Sequence, residues 1–268
     1  MARLAQRRVG VCGPSLGGSE GDPGENSSPA AGGQVIGHVL DLGLTEYREA
    51  CRLQLRAHQA RVEDRIGDTL LLTEHLPVYT LGRTARAEHA GEGWTCGALA
   101  GIPVHASDRG GSITYHGPGQ MVGYPILKLR DYCAGPKAYV AGLEETVIRA
   151  LAGLGVPAGR RGGMPGVWVS ERKIAAVGVR ISRGVTRHGF ALNVVNDLRP
   201  FSAIVPCGLA GYGVTSVAQE RGAAADFEQA RRAVLRAFQE VFGLALAEAR
   251  ATEVFAHTQA EAADAPCV

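Results

Sequence analysis

Gly166-Val167-Trp168-Val169-Ser170-Glu171-Arg172-Lys173-Ile174-Ala175-Ala176-Val177-Gly178-Val179-Arg180-Ile181-Ser182-Arg183-Gly184-Val185, running on to Val195, is a series of short apolar runs. Two turns cut it, Ser170-Glu171-Arg172 and Ser182-Arg183-Gly184, which predicts two or three strands. Just upstream the period changes. Pro136 opens a helix carrying Leu143, Val147, Leu151 and Leu154, spaced four, four and three. Downstream, Asp226 with Gln229 reads as a capped helix start. Ala230, Ala233, Val234, Ala237, Phe238, Val241 and Phe242 form its apolar stripe. Toward the N-terminus, Thr45 is expected to cap a helix reaching about Ile66, with Tyr47, Ala50, Cys51, Leu55 and Val62 along one side. Residues 69–73 and 78–81 read as strands around Pro77, and 112–129 is strand-like around a turn at Gly117-Pro118-Gly119. No internal repeat is evident. Helix, paired strands, helix, hairpins, helix predicts one α+β domain, an α/β two-layer fold with a mixed β-sheet flanked by helices.

The composition narrows the function classes. The chain has 268 residues, 46% apolar and 20% charged, which suits a buried core and not a disordered chain. Lys plus Arg is 28 against 26 Asp plus Glu, a net of +2, weak for a general nucleic-acid binder. A membrane-spanning helix needs about 18 apolar residues, whereas residues 150–156, among the longest runs, are broken by Gly153 and Gly155. Cys12, Cys51, Cys96, Cys133, Cys207 and Cys267 make no C-x-x-C pair, which predicts a reducing, cytoplasmic setting with mostly free thiols. Arg3, Arg7 and Arg8 have no apolar stretch behind them, so no secretory signal is expected.

Residues 1–34 hold eight Gly, three Pro and four Ser and no aromatic residue, too little to offset ordering entropy, so a disordered arm is expected. The folded domain is expected over 35–246, and the Ala- and Glu-rich 247–268 as a flexible tail. Gly13-Pro14-Ser15-Leu16-Gly17 fits a nucleophile-elbow pattern, but the following Gly-, Ser- and Pro-containing chain forms no helix, so Ser15 is set aside.

Four places could carry chemistry. Arg109-Gly110-Gly111-Ser112-Ile113-Thr114-Tyr115-His116-Gly117-Pro118-Gly119-Gln120 reads either as a binding wall, where clustered Gly lets backbone approach a ligand, or as a tight hairpin. It fits neither a dinucleotide fingerprint nor a P-loop. Cys207 sits between Pro206 and Gly208, which neither strand nor helix would choose. It is a packed thiol or a nucleophile on a shaped loop. Lys173 leads into an apolar strand and is either a solvated end or a partly desolvated amine. His188, in Arg187-His188-Gly189-Phe190-Ala191-Leu192-Asn193, is a base, a ligand or a hydrogen-bonded structural residue. Neither His116 nor His188 has a neighbour at metal-ligand spacing, so no metal is expected.

Taken together and in order, these segments resemble the lipoate-protein ligase B family of octanoyl-[acyl carrier protein]:protein N-octanoyltransferases. The matching pieces begin with Pro77-Val78-Tyr79-Thr80-Leu81-Gly82-Arg83 and Arg109 to Gln120, and continue with Lys173 to Arg180 and His188 to Asn193. They close with Pro206-Cys207-Gly208 followed by Val214-Thr215-Ser216. The resemblance spans roughly residues 38–245 and implies the fold of biotin and lipoate protein ligase catalytic domains.

It further implies an acyltransferase of lipoate biosynthesis and protein lipoylation. Such an enzyme moves octanoyl from octanoyl-acyl carrier protein to a lysine of lipoyl domains of 2-oxoacid dehydrogenases or of the glycine cleavage H protein. Cys207 maps onto the nucleophile that carries the acyl thioester, and Lys173 onto its partner and general base. Arg109, Gly110, Gly111, Ser112, Ile113, Thr114, Tyr115 and His116 map onto substrate-binding positions, as do Ala176, Val177, Gly178, Gly189, Phe190 and Ala191. No cofactor is expected. An acyl thioester splits transfer from thioester to amine into two easier steps. The alternatives are an ATP-dependent ligase of the same fold, which needs no thiol, a lipoyl or octanoyl amidotransferase, and a non-catalytic acyl-binding module.

Overall fold

The computed structural model describes residues 36–86, 94–95, 97–204, 212–222 and 225–256. The first half of the chain supplies β1 (Ile36–Thr45), α1 (Tyr47–Val62), β2 (Thr69–His75), β3 (Val78–Leu81), β4 (Trp94–Thr95), β5 (Ala98–Leu99), β6 (Ile102–Ala106), β7 (Ile113–His116) and β8 (Gln120–Ile126). The second half supplies α2 (Pro136–Gly153), β9 (Gly159–Arg161), β10 (Met164–Val169), β11 (Arg172–Ser182), β12 (Val185–Asn193), β13 (Gly213–Val214), α3 (Val217–Arg221), α4 (Phe227–Phe242), β14 (Ala245–Glu248) and α5 (Ala251–Val254).

Two sheets form. The larger runs β14-β1-β2-β8-β12-β11-β10-β9, with β13 beside β11. It is mixed: β1 is parallel to both neighbours and β13 parallel to β11, while β2, β8, β12, β11, β10 and β9 pair antiparallel in turn. A parallel β1–β2 pair requires a crossover, and α1 is that crossover. The smaller sheet runs β4-β5-β6-β3-β7. Two-residue alternation splits the core. Leu70, Leu72, Met121, Phe190 and Leu192 face α2 and α4, while Leu71, Val122, Tyr124 and Ala191 face α1. No helix among the described residues is long and apolar enough to cross a membrane.

The mixed sheet with flanking helices matches the expected fold. Helix α4 is capped as predicted: Asp226 Oδ1 accepts from the N–H groups of Glu228 and Gln229, and Ala230, Val234, Ala237, Phe238 and Val241 are buried. Elsewhere the structure differs. Thr45 ends β1 and its hydroxyl donates to the Leu42 carbonyl, so α1 begins after Glu46 and ends at Val62. Its buried face includes Gln54, His58 and Arg61, while Leu55 and Val62 are half-buried. Gln54 Oε1 accepts from His188 N, His58 Nε2 meets the Ser182 carbonyl and Arg61 donates to Asp68, while the buried Gln54 Nε2 has no hydrogen bond. The chain around Gly117-Pro118-Gly119 is no hairpin, because β7 lies in the smaller sheet and β8 in the larger. Past Leu246, β14 reaches Glu248 parallel to β1, and Phe255 is buried against the α1 side with Arg56 over its ring. The chain expected as a tail is thus partly built into the domain, since one aromatic suffices to anchor a short helix. Residues 1–34 and 257–268 lie outside the described residues. Cys133 forms no disulfide, whereas Cys51 is disulfide-bonded, contrary to the expectation for that position.

Candidate functional site

One pocket lies where the smaller sheet meets the larger. The chain before and within β7 contributes Arg109, Gly110, Gly111, Ile113, Thr114 and His116. Strand β11 contributes Lys173, Ala176, Val177 and Gly178, and β12 contributes His188, Gly189, Phe190 and Ala191. Tyr47 from α1 and Val122 and Tyr124 from β8 complete it.

Many lining residues are polar, yet their polar tips are occupied by the protein. Tyr47 OH donates to Ser107 Oγ at 2.9 Å. His75 Nδ1 lies 3.0 Å from the Thr45 carbonyl, which can only accept, so the proton sits on Nδ1. His75 Nε2 therefore accepts from Tyr124 OH at 2.7 Å. The same logic fixes His116. Gln120 Nε2 donates to the Tyr115 carbonyl and to Asn193 Oδ1, which leaves Gln120 Oε1 to accept from His116 Nδ1 at 2.7 Å. Arg109 donates to both the carbonyl and the hydroxyl of Thr80 and to the Gly110 carbonyl. The surface left facing the pocket is mainly apolar.

Burial also keeps the imidazoles neutral. Burial pushes His75 down to about 4. It pushes His116 well below the ordinary histidine value, with His75 and Arg109 adding to the effect. Burial lowers His188 as well, although its bond to Asp108 opposes the shift. Burial drives the Tyr124 hydroxyl well above its usual value. At neutral pH the pocket wall carries Arg109 as its fixed charge on this side, and a hydrocarbon tail finds apolar surface there.

Lys173 stands at the start of β11 and is 8% exposed. Its Nζ donates to the Pro165 carbonyl at 3.1 Å and lies 4.8 Å from the centroid of the Trp168 ring. Gly166 makes room for it. With φ +119, Gly166 adopts backbone closed to other residues, and a Cβ there would sit 2.6 Å from the Ala175 carbonyl and 3.4 Å from Lys173 Cε. Glu144 of α2 fixes that bend by accepting from Gly166 N at 2.8 Å. On the other side β13 pairs Gly213 with Arg172 and Val214 with Lys173, and Thr215 N donates to the Lys173 carbonyl. Asn193 Nδ2 holds the Thr215 carbonyl at 2.9 Å. Cys207 lies outside the described residues.

Of the residues singled out in the sequence, Ser112 and Tyr115 do not line the pocket. Tyr115 instead packs into a buried cluster with Tyr79 and Phe201. Ser112 is buried, and its carbonyl accepts from Gly82 N. Tyr47, Val122 and Tyr124 were missed. Tyr47 read as part of a helix stripe and the other two as strand core, and nothing local in the sequence distinguishes pocket wall from core.

Comparisons with known proteins identify the family. The lipoyl protein ligase A/B catalytic domain model matches residues 46–239. An octanoyltransferase of Rubrobacter xylanophilus is 49% identical over 205 residues, covering 75% of this chain and 91% of that protein. One from Acidobacterium capsulatum is 45% identical over 224 residues, covering 78% and 91%. In three dimensions the chain resembles a lipoate-protein ligase A bound with ATP, with TM-score 0.65 and 20% identity over 82% of this chain and 90% of that one. It also resembles part of a bipartite lipoate protein ligase of Thermoplasma acidophilum, with TM-score 0.61 and 20% identity over 82% and 88%. These two likenesses establish the shared fold.

Proposed function

The chain belongs to the lipoyl protein ligase A/B catalytic domain family and is an acyltransferase of the octanoyltransferase kind, and we propose that it works through an enzyme thioester on Cys207. The octanoyl group moves from octanoyl-acyl carrier protein to a lysine of a lipoyl domain. Those of 2-oxoacid dehydrogenases and of the glycine cleavage H protein are the proposed acceptors. We place the reaction in the cytoplasm on the spacing of the cysteines, with Cys51 as the exception.

One observation carries this reading: Lys173 lines an apolar pocket and is paired to the strand that follows the Cys207 segment. Cys207 precedes Gly213 by six residues and follows Ile204 by three. Six residues of chain span at most about 20 Å, a length that permits the thiol to meet Lys173. Ile204 in turn shares a buried cluster with Ile113, which lines the pocket.

In the first step the Cys207 sulfur attacks the donor's thioester carbonyl and its proton passes to the Lys173 amine. The donor thiol leaves carrying a proton. In the second step the acceptor lysine amine attacks the Cys207 thioester and gives up a proton to the Lys173 amine. The amide forms, and the Cys207 sulfur leaves and is reprotonated. A base is needed in both steps, because a free thiol with pKa about 8.5 is only a few per cent thiolate at neutral pH and an attacking amine must lose a proton. The acyl tail lies along Ala176 to Gly178 and Gly189 to Ala191, with Arg109, Gly110, Gly111, Ile113, Thr114 and His116 closing over it.

The test is an assay with octanoyl carrier protein and a lipoyl domain, with and without ATP and magnesium. Equal transfer in both supports the thioester route. A strict ATP requirement overturns it in favour of a ligase.

A further inference from the structure

The pocket wall formed by Arg109, Gly110 and Gly111 comes from the chain between β6 and β7, while the wall opposite is the β11–β12 hairpin of the other sheet. One carboxylate bridges them. Asp108 Oδ1 accepts from His188 Nε2 at 2.7 Å, and Oδ2 accepts from Arg187 and lies 3.7 Å from Arg180 Nε. Its side chain is 18% exposed, and those of Arg187 and His188 are 9% and 2%.

Three features show that the hairpin needs this carboxylate. Register places Arg180 directly opposite Arg187, and like charges so placed repel. Each of these arginines keeps a buried Nε without a hydrogen bond. Consecutive strand residues should point to opposite faces, yet Arg187 and His188 reach the same carboxylate. They do so because His188 has φ +54, a left-handed conformation rare outside glycine, held by Gln54 Oε1 accepting from His188 N at 2.9 Å. The backbone is thus bent to bring His188 to Asp108. Beside it, Gly110 N donates to the Val179 carbonyl at 3.0 Å.

We propose that Asp108 is a positioning residue that docks the 107–111 loop on the β11–β12 hairpin and so closes the acyl pocket; this rests on the octanoyl-transfer reading above. Without the carboxylate, Arg180 and Arg187 repel across the hairpin and the loop lifts, taking the Arg109–Gly111 wall with it. Lys173 is seven residues from Arg180 along β11, about 23 Å at ~3.3 Å per residue, so the chemical step is spared.

The test uses the full chain with octanoyl-pantetheine as donor and a lipoyl domain as acceptor, with hydrogen exchange of residues 107–111 measured alongside. Asp108→Asn is expected to raise KM for the donor about tenfold while kcat changes by about twofold or less. Exchange in residues 107–111 should quicken while exchange in α2 and α4 stays at the wild-type rate. Adding Arg180→Gln to Asp108→Asn should recover part of the lost KM by removing the like-charge pair, a rescue that general destabilisation does not give. Wild-type exchange and wild-type KM in Asp108→Asn overturn the proposal, as does a fall in kcat with KM unchanged. Should Asp108→Asn fail to fold, Asp108→Ser is read by the same two measurements and the same outcomes. Failure of the wild-type chain to use the octanoyl donor counts against the octanoyl-transfer reading, and the exchange rates then decide the role of Asp108 separately.

Discussion

Gly178→Ala adds one methyl group at a close approach between β11 and the 107–111 loop. A Cβ at this position lies 2.7 Å from the Gly110 carbonyl oxygen, where ordinary contact begins at 3.4 Å. The oxygen belongs to backbone whose N–H is held by Val179, and Gly178 itself is paired with Gly189 across the hairpin. Neither side can yield cheaply, so the loop must shift by about 0.7 Å or the strand must bend. Overpacking of this kind costs about 1–3 kcal/mol. In a domain of this size each kcal/mol lowers Tm by about 2–4 °C. Because Gly110 and Gly178 both line the pocket, KM for the octanoyl donor should rise about tenfold as well. Thermal unfolding and steady-state kinetics check both effects. Gly153→Ala is the control: at the end of α2 nothing lies within 4 Å of its Cβ, so it should be neutral or stabilising by up to about 1 kcal/mol. If Gly178→Ala keeps wild-type Tm and KM, the close approach of the loop to β11 is not what shapes the pocket.

Other outcomes follow from the same contacts. Lys173→Arg keeps charge but not proton acceptance, and Lys173→Met keeps neither. Both should lose about a hundredfold in transfer, even from preformed acyl-enzyme, and near-normal aminolysis by the Arg variant would refute the general-base role. Glu144→Ala leaves Gly166 N without its acceptor and should cost about 1–3 kcal/mol in denaturant unfolding. His75, held at about 4 when folded, takes up protons more readily when unfolded, so its contribution is present above about pH 6.5 and is lost as pH falls toward 4. Comparing unfolding at pH 7 and pH 5, His75→Asn should remove roughly 2 kcal/mol of the wild-type difference, and an identical difference in both chains would refute this. Deleting residues 1–34 should leave melting temperature and turnover nearly unchanged.

The strands and helices legible in the sequence were those whose burial repeats along the chain. The stripe of α4 and the apolar runs of β10 to β12 carry their own period. Where partners lie far apart, the sequence was silent. Nothing near Gly117-Pro118-Gly119 reveals that β7 and β8 join different sheets, because pairing is decided by β3 and β2, some 30 to 50 residues upstream. The buried face of α1 was misread because Gln54, His58 and Arg61 look like solvent residues until their partners on β12, near Ser182 and at Asp68 are known. The binding segments stood out because clustered glycine is unusual. Tyr47 and Tyr124 did not, because each points its hydroxyl at a residue remote in sequence and its ring at the pocket. Asp108 resembled an ordinary loop acid for the same reason.

The most direct test of the account is to incubate the wild-type chain with octanoyl carrier protein and no acceptor, then map any acyl group by mass spectrometry before and after hydroxylamine. One hydroxylamine-labile octanoyl group is expected on Cys207, absent in Cys207→Ala, retained in Cys133→Ala, and discharged when a lipoyl domain is added. Transfer at the wild-type rate by Cys207→Ala, or an adduct on another residue, would contradict it.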